Sequence, residues 1–340
     1  MIDWESTLSI SRQHLRDDNV PFVCIKIRNL KKMITILFLT ILTTIFGIGL
    51  YGYLQGVMAK PYDTQKMTLN YERIGDGDKK VVLLHGLTGS LRYWTRGLND
   101  VSDSHSFLLI DLLGFGDSPK PNSQYSLEEH LDAIEKVLKI ENFDDGNVLV
   151  IGHSLGAILT IGLVGKQPDW FHSLAVIGLP NYSDKEAIRA KFGKKSLWDG
   201  VSVDSRFKFV CFFHPIYMTK WFKPENIPPD IFEDAGKHTW VSYYHTLDEV
   251  ILNTDLKKLA SQIKDKKILF IHGKNDAAAP IENVEALIPI FSNATFEILP
   301  DADHHLYLAN PTKIWALIDN FEKHPNQYEN HEKNNRSTGH

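Results

Sequence analysis

The chain of 340 residues has few cysteines and no excess of positive charge. Its two cysteines, Cys24 and Cys211, exclude a disulfide framework, and no Cys-x-x-Cys pair or Cys/His cluster in the sequence suggests zinc. Lysine and arginine number 37 against 42 acidic residues, which argues against a dedicated nucleic-acid-binding protein. A hydrophobic content of 43% excludes a largely disordered chain and is enough for a large core.

Apolar residues are concentrated in one block near the N-terminus. Residues 33–59 carry no formal charge, and the densest part runs from Ile34 to Leu54. At about 1.5 Å per residue this part forms a helix of roughly 31 Å, which matches a bilayer core of about 30 Å. Its threonines are tolerated, because hydroxyls can bond back to the helix backbone. The sequence therefore predicts a transmembrane helix at 34–54 rather than a buried helix of a soluble protein.

The flanking charges predict the orientation of this helix. Lys60 is the one close basic residue that follows it, whereas four precede it: Lys26, Arg28, Lys31 and Lys32. The positive-inside rule then leaves residues 1–33 in the cytoplasm and places the rest on the periplasmic or extracellular side. We expect an uncleaved signal anchor. The alternatives are a signal peptide cleaved after Ala59, giving a secreted protein, and a true start at Met33.

Beyond residue 62, short apolar runs alternate with helical patterns. The runs predict buried parallel strands at Val81–His85, Phe107–Asp111, Val148–Gly152, Leu174–Leu179, Ile268–His272 and Thr295–Leu299. Helical spacing predicts helices at Ser126–Ile140, Leu155–Val164, Ile281–Ile290 and Pro311–Phe321. This alternation predicts an α/β protein with a doubly wound, mostly parallel sheet over residues 62–323.

Residues 181–250 interrupt the alternation. They contain fourteen aromatic residues, 20% against 11% for the whole chain. The segment lies between two predicted strands and is too long for a simple connection, so we expect a mainly helical cap over the carboxyl edge of the sheet. Residues 324–340 contain almost nothing to bury and are expected to form a disordered tail.

A Gly-x-Ser-x-Gly motif at residues 152–156 indicates nucleophilic catalysis. It follows a predicted strand and opens a predicted helix, which is the setting of a nucleophile elbow with Ser154 at its tip. A serine hydroxyl needs a base, and that base needs an orienting group. Asp276 and His304 each follow a later predicted strand, and His305 is a neighbouring rival that we consider less favoured. The order Ser, Asp, His is that of the α/β-hydrolases.

An oxyanion hole is the second requirement of this chemistry. The elbow offers the backbone N–H of Leu155. The loop after the first predicted parallel strand reads His-Gly-Leu-Thr-Gly-Ser at 85–90, where Gly86 permits a turn under the nucleophile and Leu87 is the expected second donor.

From about Tyr71 to Phe321 the chain resembles the α/β-hydrolase superfamily, in its branch of capped esterases, monoacylglycerol lipases and meta-cleavage-product hydrolases. The carrying motifs are HGLTGS at 85–90, DLLGFGDS at 111–118, GHSLG at 152–156, GKND at 273–276, and His304 seven residues before Pro311. Asp303 stands where that family usually has glycine before its histidine. The resemblance implies Ser154 as nucleophile, His304 as base and Asp276 as its orienter.

The same resemblance assigns structural roles to other motif residues. Asp111, Gly116 and Asp117 look like turn-forming residues, and His85 and His153 like packing residues beside the site. A serine at the elbow argues against the related dehalogenases and epoxide hydrolases, which use an aspartate nucleophile.

The expected activity is hydrolysis of carboxylic esters with apolar acyl chains, through an acyl-enzyme. The substrate is then a small ester or lipid, and neither a metal nor an organic cofactor is expected. Carbon–carbon bond hydrolysis of meta-cleavage products uses the same triad and is the alternative. A non-catalytic binding protein with this fold is the second alternative.

Overall fold

A computed structural model describes residues 20–98, 103–182, 204–214 and 227–323. The predicted tail at 324–340 lies outside the described residues, as do residues 1–19 of the predicted cytoplasmic segment and parts of the predicted cap. The chain divides into two units, Met1–Leu50 and Tyr51–His340.

The first described helix, α1, spans Val20–Val57. Its part from Leu30 to Val57 is long and apolar enough to cross a membrane, so the candidate span is longer at both ends than the predicted 34–54. Thr35 and Thr40 donate hydrogen bonds to carbonyls one turn earlier, at 3.0 and 2.9 Å. These bonds satisfy the hydroxyls within the helix itself, as apolar surroundings require.

A seven-stranded sheet forms the centre of the second unit. Its strands are β1 Tyr71–Ile74, β2 Lys79–Leu84, β3 His105–Ile110, β4 Val148–His153, β5 Phe171–Ile177, β6 Lys267–Gly273 and β7 Asn293–Leu299. Their order is β1-β3-β2-β4-β5-β6-β7, and only β1 runs antiparallel to its neighbour. The six predicted parallel strands are confirmed, although β5 begins and ends earlier than expected. The sequence analysis missed β1, which is short and half exposed.

The sheet is buried on both faces. Along β2, for example, Val81 and Leu83 pack into one apolar cluster, whereas Val82 and Leu84 pack into the other. This alternation is the period of two that every strand shows, and each buried aliphatic side chain contributes about 1.5–3 kcal/mol. The near-continuous apolar runs of the sequence are therefore explained by helices on both sides of the sheet.

The remaining α-helices of the described residues are α2 Leu127–Glu141, α3 Leu155–Lys166, α4 Pro229–Ala235, α5 Trp240–Thr246, α6 Leu256–Gln262, α7 Ile281–Glu285, α8 Leu306–Ala309 and α9 Pro311–Lys323. Ser126 and Glu129 form a reciprocal capping box that fixes the start of α2. The predicted helix at 281–290 is wrong in its second half, which is a separate 3₁₀ turn at Ile288–Ile290. Pro289 lacks the N–H that a continuing α-helix needs.

The last turns of α1, within the second unit, pack on residues of the predicted cap. Tyr53 stacks on Trp240 with ring centroids 6.2 Å apart, and the Trp240 indole N–H donates to the Tyr53 carbonyl at 3.1 Å. Phe212 contacts both rings. A Cβ added at Gly56 would lie within 3 Å of Trp240, so this approach requires glycine.

Candidate active site

Ser154 lies at a sharp turn between β4 and α3. Its backbone has φ 54° and ψ −117°, a conformation that costs a non-glycine residue roughly 1–3 kcal/mol. Strand and helix pass so closely that a Cβ added at Gly152 would lie within 3 Å of the Gly156 backbone. The Ser154 N–H donates to the Ile177 carbonyl of β5 at 2.9 Å, which holds the turn against the sheet.

Asp276 and His304 come from the loops that follow β6 and β7. The carboxyl ends of these parallel strands lie at the same edge of the sheet as the end of β4. One Asp276 oxygen accepts the backbone N–H groups of Ala278 and Ala279, at 2.9 and 2.7 Å. These two bonds fix the carboxylate and leave its other oxygen for His304.

The structure brings Ser154, His304 and Asp276 into one hydrogen-bonded line. His304 Nδ1 lies 2.7 Å from Asp276 Oδ2, and His304 Nε2 lies 3.0 Å from Ser154 Oγ. The short contact to the carboxylate assigns the ring proton to Nδ1, so Nε2 can accept a proton from Ser154. His305 bonds neither Asp276 nor Ser154 in the described part of the chain. Burial lowers the pKa of its ring to about 4.

The two predicted oxyanion donors lie on either side of Ser154. Leu155 follows it at the first position of α3, where backbone N–H groups have no partner inside the helix. Leu87 lies in the loop after β2, and a Cβ added at the preceding Gly86 would lie 3.1 Å from Ser154 Cβ. Among the turn, loop and cap hydrogen bonds of the described residues, none has the backbone N–H of Leu87 or of Leu155 as its donor.

A cavity of about 270 Å³ opens onto Ser154 and His304. Its other lining residues are mostly apolar or aromatic: Leu87, Pro180, Tyr182, Tyr243, Leu247, Ile251, Leu252 and Ala278. Four of these come from residues 243–252, which comprise the last four residues of α5, a π-helical turn at Leu247–Ile251 and the residue after that turn. The described part of the predicted cap therefore supplies one wall of the cavity.

Comparison with known proteins decides the family. A family model described as the alpha/beta hydrolase fold matches residues 79–311, more than half of the chain. This chain belongs to the α/β-hydrolase family. The hydrolase superposes on a bromoperoxidase from Bacillus anthracis with a TM-score of 0.62, at 19% identity, over 78% of this chain and 98% of that one. At that identity the likeness shows the fold alone.

Two similar curated proteins come from Arabidopsis thaliana. The hydrolase is 28% identical over 288 residues to probable lysophospholipase BODYGUARD 1, an alignment that covers 74% of this chain and 61% of that protein. It is 30% identical over 284 residues to probable lysophospholipase BODYGUARD 5, with 72% and 64% covered. The chain thus spans about three fifths of the length of these relatives.

The loop at 111–118 holds in place the loop at 85–90, which carries the predicted oxyanion donor Leu87. Asp111 accepts the backbone N–H groups of Leu91 and Asp117, at 2.6 and 2.7 Å. His85 accepts the N–H of Leu112 at 2.9 Å and donates from Nδ1 to the Gly86 carbonyl at 2.7 Å. These buried bonds fix the turn that precedes Leu87.

His153, which the sequence predicts to be a packing residue, also makes a hydrogen bond that was not predicted. Its Nε2 donates to the backbone carbonyl of His304 at 2.8 Å, so the residue before Ser154 also holds the loop that carries His304. Burial, together with the nearby rings of His304 and His305, lowers the pKa of His153 well below its ordinary value. It is therefore a neutral donor. The sequence signal for this contact is the position of His153 directly before Ser154 in the Gly-His-Ser motif.

The sequence analysis also missed a cluster in the described part of the cap. Cys211, His214 and His238 are buried, and their potential metal-binding atoms lie within 4.8 Å of one another. A Cys-x-x-His spacing at 211–214 was the sequence signal, but it is weak without its distant third member.

Proposed function

We propose that this α/β hydrolase is a serine hydrolase that cleaves carboxylic esters with apolar acyl chains. The observation that carries the proposal is the line from Ser154 Oγ through the His304 ring to Asp276, with contacts of 3.0 and 2.7 Å, open to an apolar cavity. A nucleophile, a base and an orienting carboxylate at these distances match the geometry of acyl transfer.

In the first step, Ser154 Oγ attacks the ester carbonyl carbon while His304 Nε2 takes the hydroxyl proton. Asp276 stabilises the imidazolium and holds the ring. The backbone N–H groups of Leu87 and Leu155 donate to the developing oxyanion. His304 then returns the proton to the leaving alcohol, and Ser154 remains acylated.

In the second step, water attacks the acyl-enzyme and His304 Nε2 accepts its proton. The same N–H groups hold the second tetrahedral intermediate, which collapses to the carboxylic acid and free Ser154. The proton returns from His304 to Ser154 Oγ, so the cycle closes with these residues and water alone.

The cavity supports a substrate with one apolar chain. Its volume of about 270 Å³ lies just below the roughly 300–1,000 Å³ of small-molecule sites, so it suits a slender substrate. Its wall at 243–252 is formed by Tyr243, Leu247, Ile251 and Leu252. The Arabidopsis relatives are named probable lysophospholipases, which agrees with a lipid ester carrying a single acyl chain.

We further propose that α1 is an uncleaved, single-pass membrane anchor. The basic residues before Met33 place the hydrolase body on the non-cytoplasmic side by the positive-inside rule. Cleavage after Ala59 would remove Tyr53 and Gly56, both of which pack on Trp240 of the body. Protease protection in sealed vesicles tests on which side of the membrane the chain after α1 lies. The mass of the mature protein tests whether the chain is cleaved after Ala59. A mature chain beginning at Lys60 contradicts the anchor.

Replacement of the nucleophile tests the activity. Ser154→Ala should abolish hydrolysis of p-nitrophenyl esters and labelling by a fluorophosphonate, because Ser154 supplies the hydroxyl that bonds His304 Nε2. Ser261→Ala is the matched control, since that serine is exposed and bonds only its own helix. A folded Ser154→Ala protein that still hydrolyses esters contradicts the role of Ser154 as nucleophile. A wild-type protein that the fluorophosphonate does not label favours a non-catalytic binding protein.

A substrate panel separates ester cleavage from the carbon–carbon alternative. We expect turnover of p-nitrophenyl esters and monoacyl lipids to depend on chain length, with an optimum set by the cavity. A meta-cleavage product is the competing substrate. Faster turnover of that dienoic diketone than of any ester overturns the ester assignment while leaving the triad intact.

A further inference from the structure

A buried cysteine and two buried histidines face one another in the described part of the cap. Cys211 and His214 lie at the end of a 3₁₀ helix, Ser205–Phe213, and His238 lies just before α5. The Cys211 Sγ is 3.3 Å from His238 Nε2 and 4.0 Å from His214 Nδ1. The proposed ester hydrolysis uses none of these three groups.

Backbone carbonyls orient both rings toward the thiol. His238 Nδ1 lies 2.7 Å from the Ala235 carbonyl, and His214 Nε2 lies 2.9 Å from the Gly236 carbonyl. A proton on each of these nitrogens leaves a lone pair on the opposite nitrogen. For His238 that nitrogen is Nε2, beside the Cys211 thiol, and for His214 it is Nδ1, beside the Cys211 carbonyl. Metal-binding histidines characteristically donate their second N–H to a carbonyl or carboxylate in this way.

A neutral His214 ring cannot donate to both of the backbone carbonyls that its two nitrogens face. Its Nδ1 lies 2.7 Å from the Cys211 carbonyl, while its Nε2 lies 2.9 Å from the Gly236 carbonyl. A neutral imidazole has one N–H, so one nitrogen must face a carbonyl oxygen with lone pair against lone pair. A positive ion beside Nδ1 removes that repulsion.

We propose that Cys211, His214 and His238 bind a zinc ion that stabilises the cap. With Zn–S of about 2.3 Å and Zn–N of about 2.0–2.1 Å, tetrahedral ligand atoms lie about 3.5 Å apart. The observed distances of 3.3 and 4.0 Å from the Cys211 Sγ bracket that separation, and all three ligand atoms lie within 4.8 Å of one another, so binding draws them closer together. Cys211 releases its proton to solvent on binding, and a water molecule takes the fourth position.

Zinc at this position joins two segments that support the substrate cavity. One is the 3₁₀ helix that carries Phe212, and the other leads into α5, where Trp240 packs on Tyr53 and Tyr243 lines the cavity. The neighbouring Lys237 adds no unbalanced charge, since it pairs with Asp117 at 2.8 Å and Asp234 at 2.9 Å. The ion therefore fastens one wall of the cavity.

Metal analysis of the purified full-length chain in detergent tests the site. We expect one zinc per chain, and Co²⁺ added after chelation should give tetrahedral d–d bands with a thiolate charge-transfer band. Cys211→Ser should lose the charge-transfer band, and His238→Ala should lower metal content at least tenfold. Cys24→Ser and His172→Ala are matched controls that should bind as the wild type does.

The readouts do not depend on ester hydrolysis. Circular dichroism identifies variants that remain folded, so a loss of metal in a folded Cys211→Ser protein supports the site. A wild type with no bound zinc and no cobalt charge-transfer band shows that Cys211 and His238 form only a buried hydrogen bond, which overturns the proposal. Equal loss of the band in Cys24→Ser overturns it too.

Discussion

Ser154–His304 and Cys211–His238 each join a potential nucleophile to an imidazole in the second unit of the chain, and the two pairs differ in what supports the imidazole. In one, His304 bonds Ser154 and is supported by the carboxylate of Asp276 at 2.7 Å. In the other, His238 contacts Cys211 and is supported by the carbonyl of Ala235 at 2.7 Å. A carboxylate stabilises an imidazolium far better than a neutral carbonyl does, so only the first pair is equipped for proton transfer.

Access separates the two pairs as well. Ser154 and His304 line the cavity, whereas Cys211 and His238 are buried beneath the surface. Burial raises the pKa of the Cys211 thiol to about 12, so without a bound metal ion the thiol stays protonated and unreactive at neutral pH. The group that supports the imidazole and the solvent access of the pair, more than the pair itself, therefore decide between catalysis and a structural role.

Replacing the carboxylate of Asp276 is the strongest test of the difference between the two pairs. Asp276→Asn should lower kcat for esters by about 10⁴, because the amide no longer fixes the productive tautomer of His304. Steady-state kinetics on p-nitrophenyl esters measure the effect, with the exposed Asp169→Asn as control. A loss of less than tenfold contradicts the role of Asp276.

Crowding the oxyanion loop should produce the next largest effect. A Cβ at Gly86 would lie 3.1 Å from Ser154 Cβ and 3.0 Å from His153 Nδ1, so Gly86→Ala must displace the loop that carries Leu87. We expect kcat to fall about 10²-fold with little change in melting temperature. Gly47→Ala is the control, because an added Cβ there meets no atom within 4 Å.

At the second pair, removal of metal should change stability. Zinc at about 100 times its dissociation constant contributes roughly 2.7 kcal/mol to the folded state, or about 5–10 °C in melting temperature. Calorimetry of the chelated and reloaded wild type measures this shift, and Cys211→Ser should not respond to zinc. A wild-type melting temperature that is unchanged by chelation would contradict a stabilising metal ion at Cys211 and His238.

The smallest expected effect is a pH dependence away from both pairs. Burial lowers the pKa of His130, whose Nε2 contacts Thr246 Oγ1 at 3.2 Å, to about 3. Below about pH 6.5 the unfolded chain binds a proton at this residue and the folded chain does not, so stability falls as pH decreases toward 3. His130→Leu should flatten the slope by up to about 1.4 kcal/mol per pH unit. Denaturant unfolding between pH 4 and 7 measures it, with exposed His172→Gln as control.

The features that short sequence patterns encode could be predicted. Buried parallel strands are continuous apolar runs, and a strand–turn–helix motif identified the position of Ser154. Asp276 and His304 were found because parallel strands end at one edge, so residues distant in sequence converge there. The choice between His304 and His305 rested on the expectation that a loop directs one of two neighbours into the site, which only coordinates can test.

Other features depend on contacts between distant segments and left little local signal. His238 lies 27 positions from Cys211 on a different segment, so no spacing rule joined them. Strand β1 has only four residues and a half-exposed pattern, which resembles a loop. The hydrogen bond from His153 to the His304 carbonyl arises from packing of the elbow against the last loop. The contact of Tyr53 with Trp240 depends on the tertiary fold in the same way.

The strained turn at Ser154 has a consequence for the evolutionary history of such a fold. Its backbone, at φ 54° and ψ −117°, is one that glycine adopts without strain, so the serine makes the folded state less stable than it could be. Loss of the nucleophile to glycine would therefore increase stability while ending turnover. Selection for activity has to oppose a drift that stability alone favours, and a lineage released from that selection would keep its sheet and lose its chemistry first.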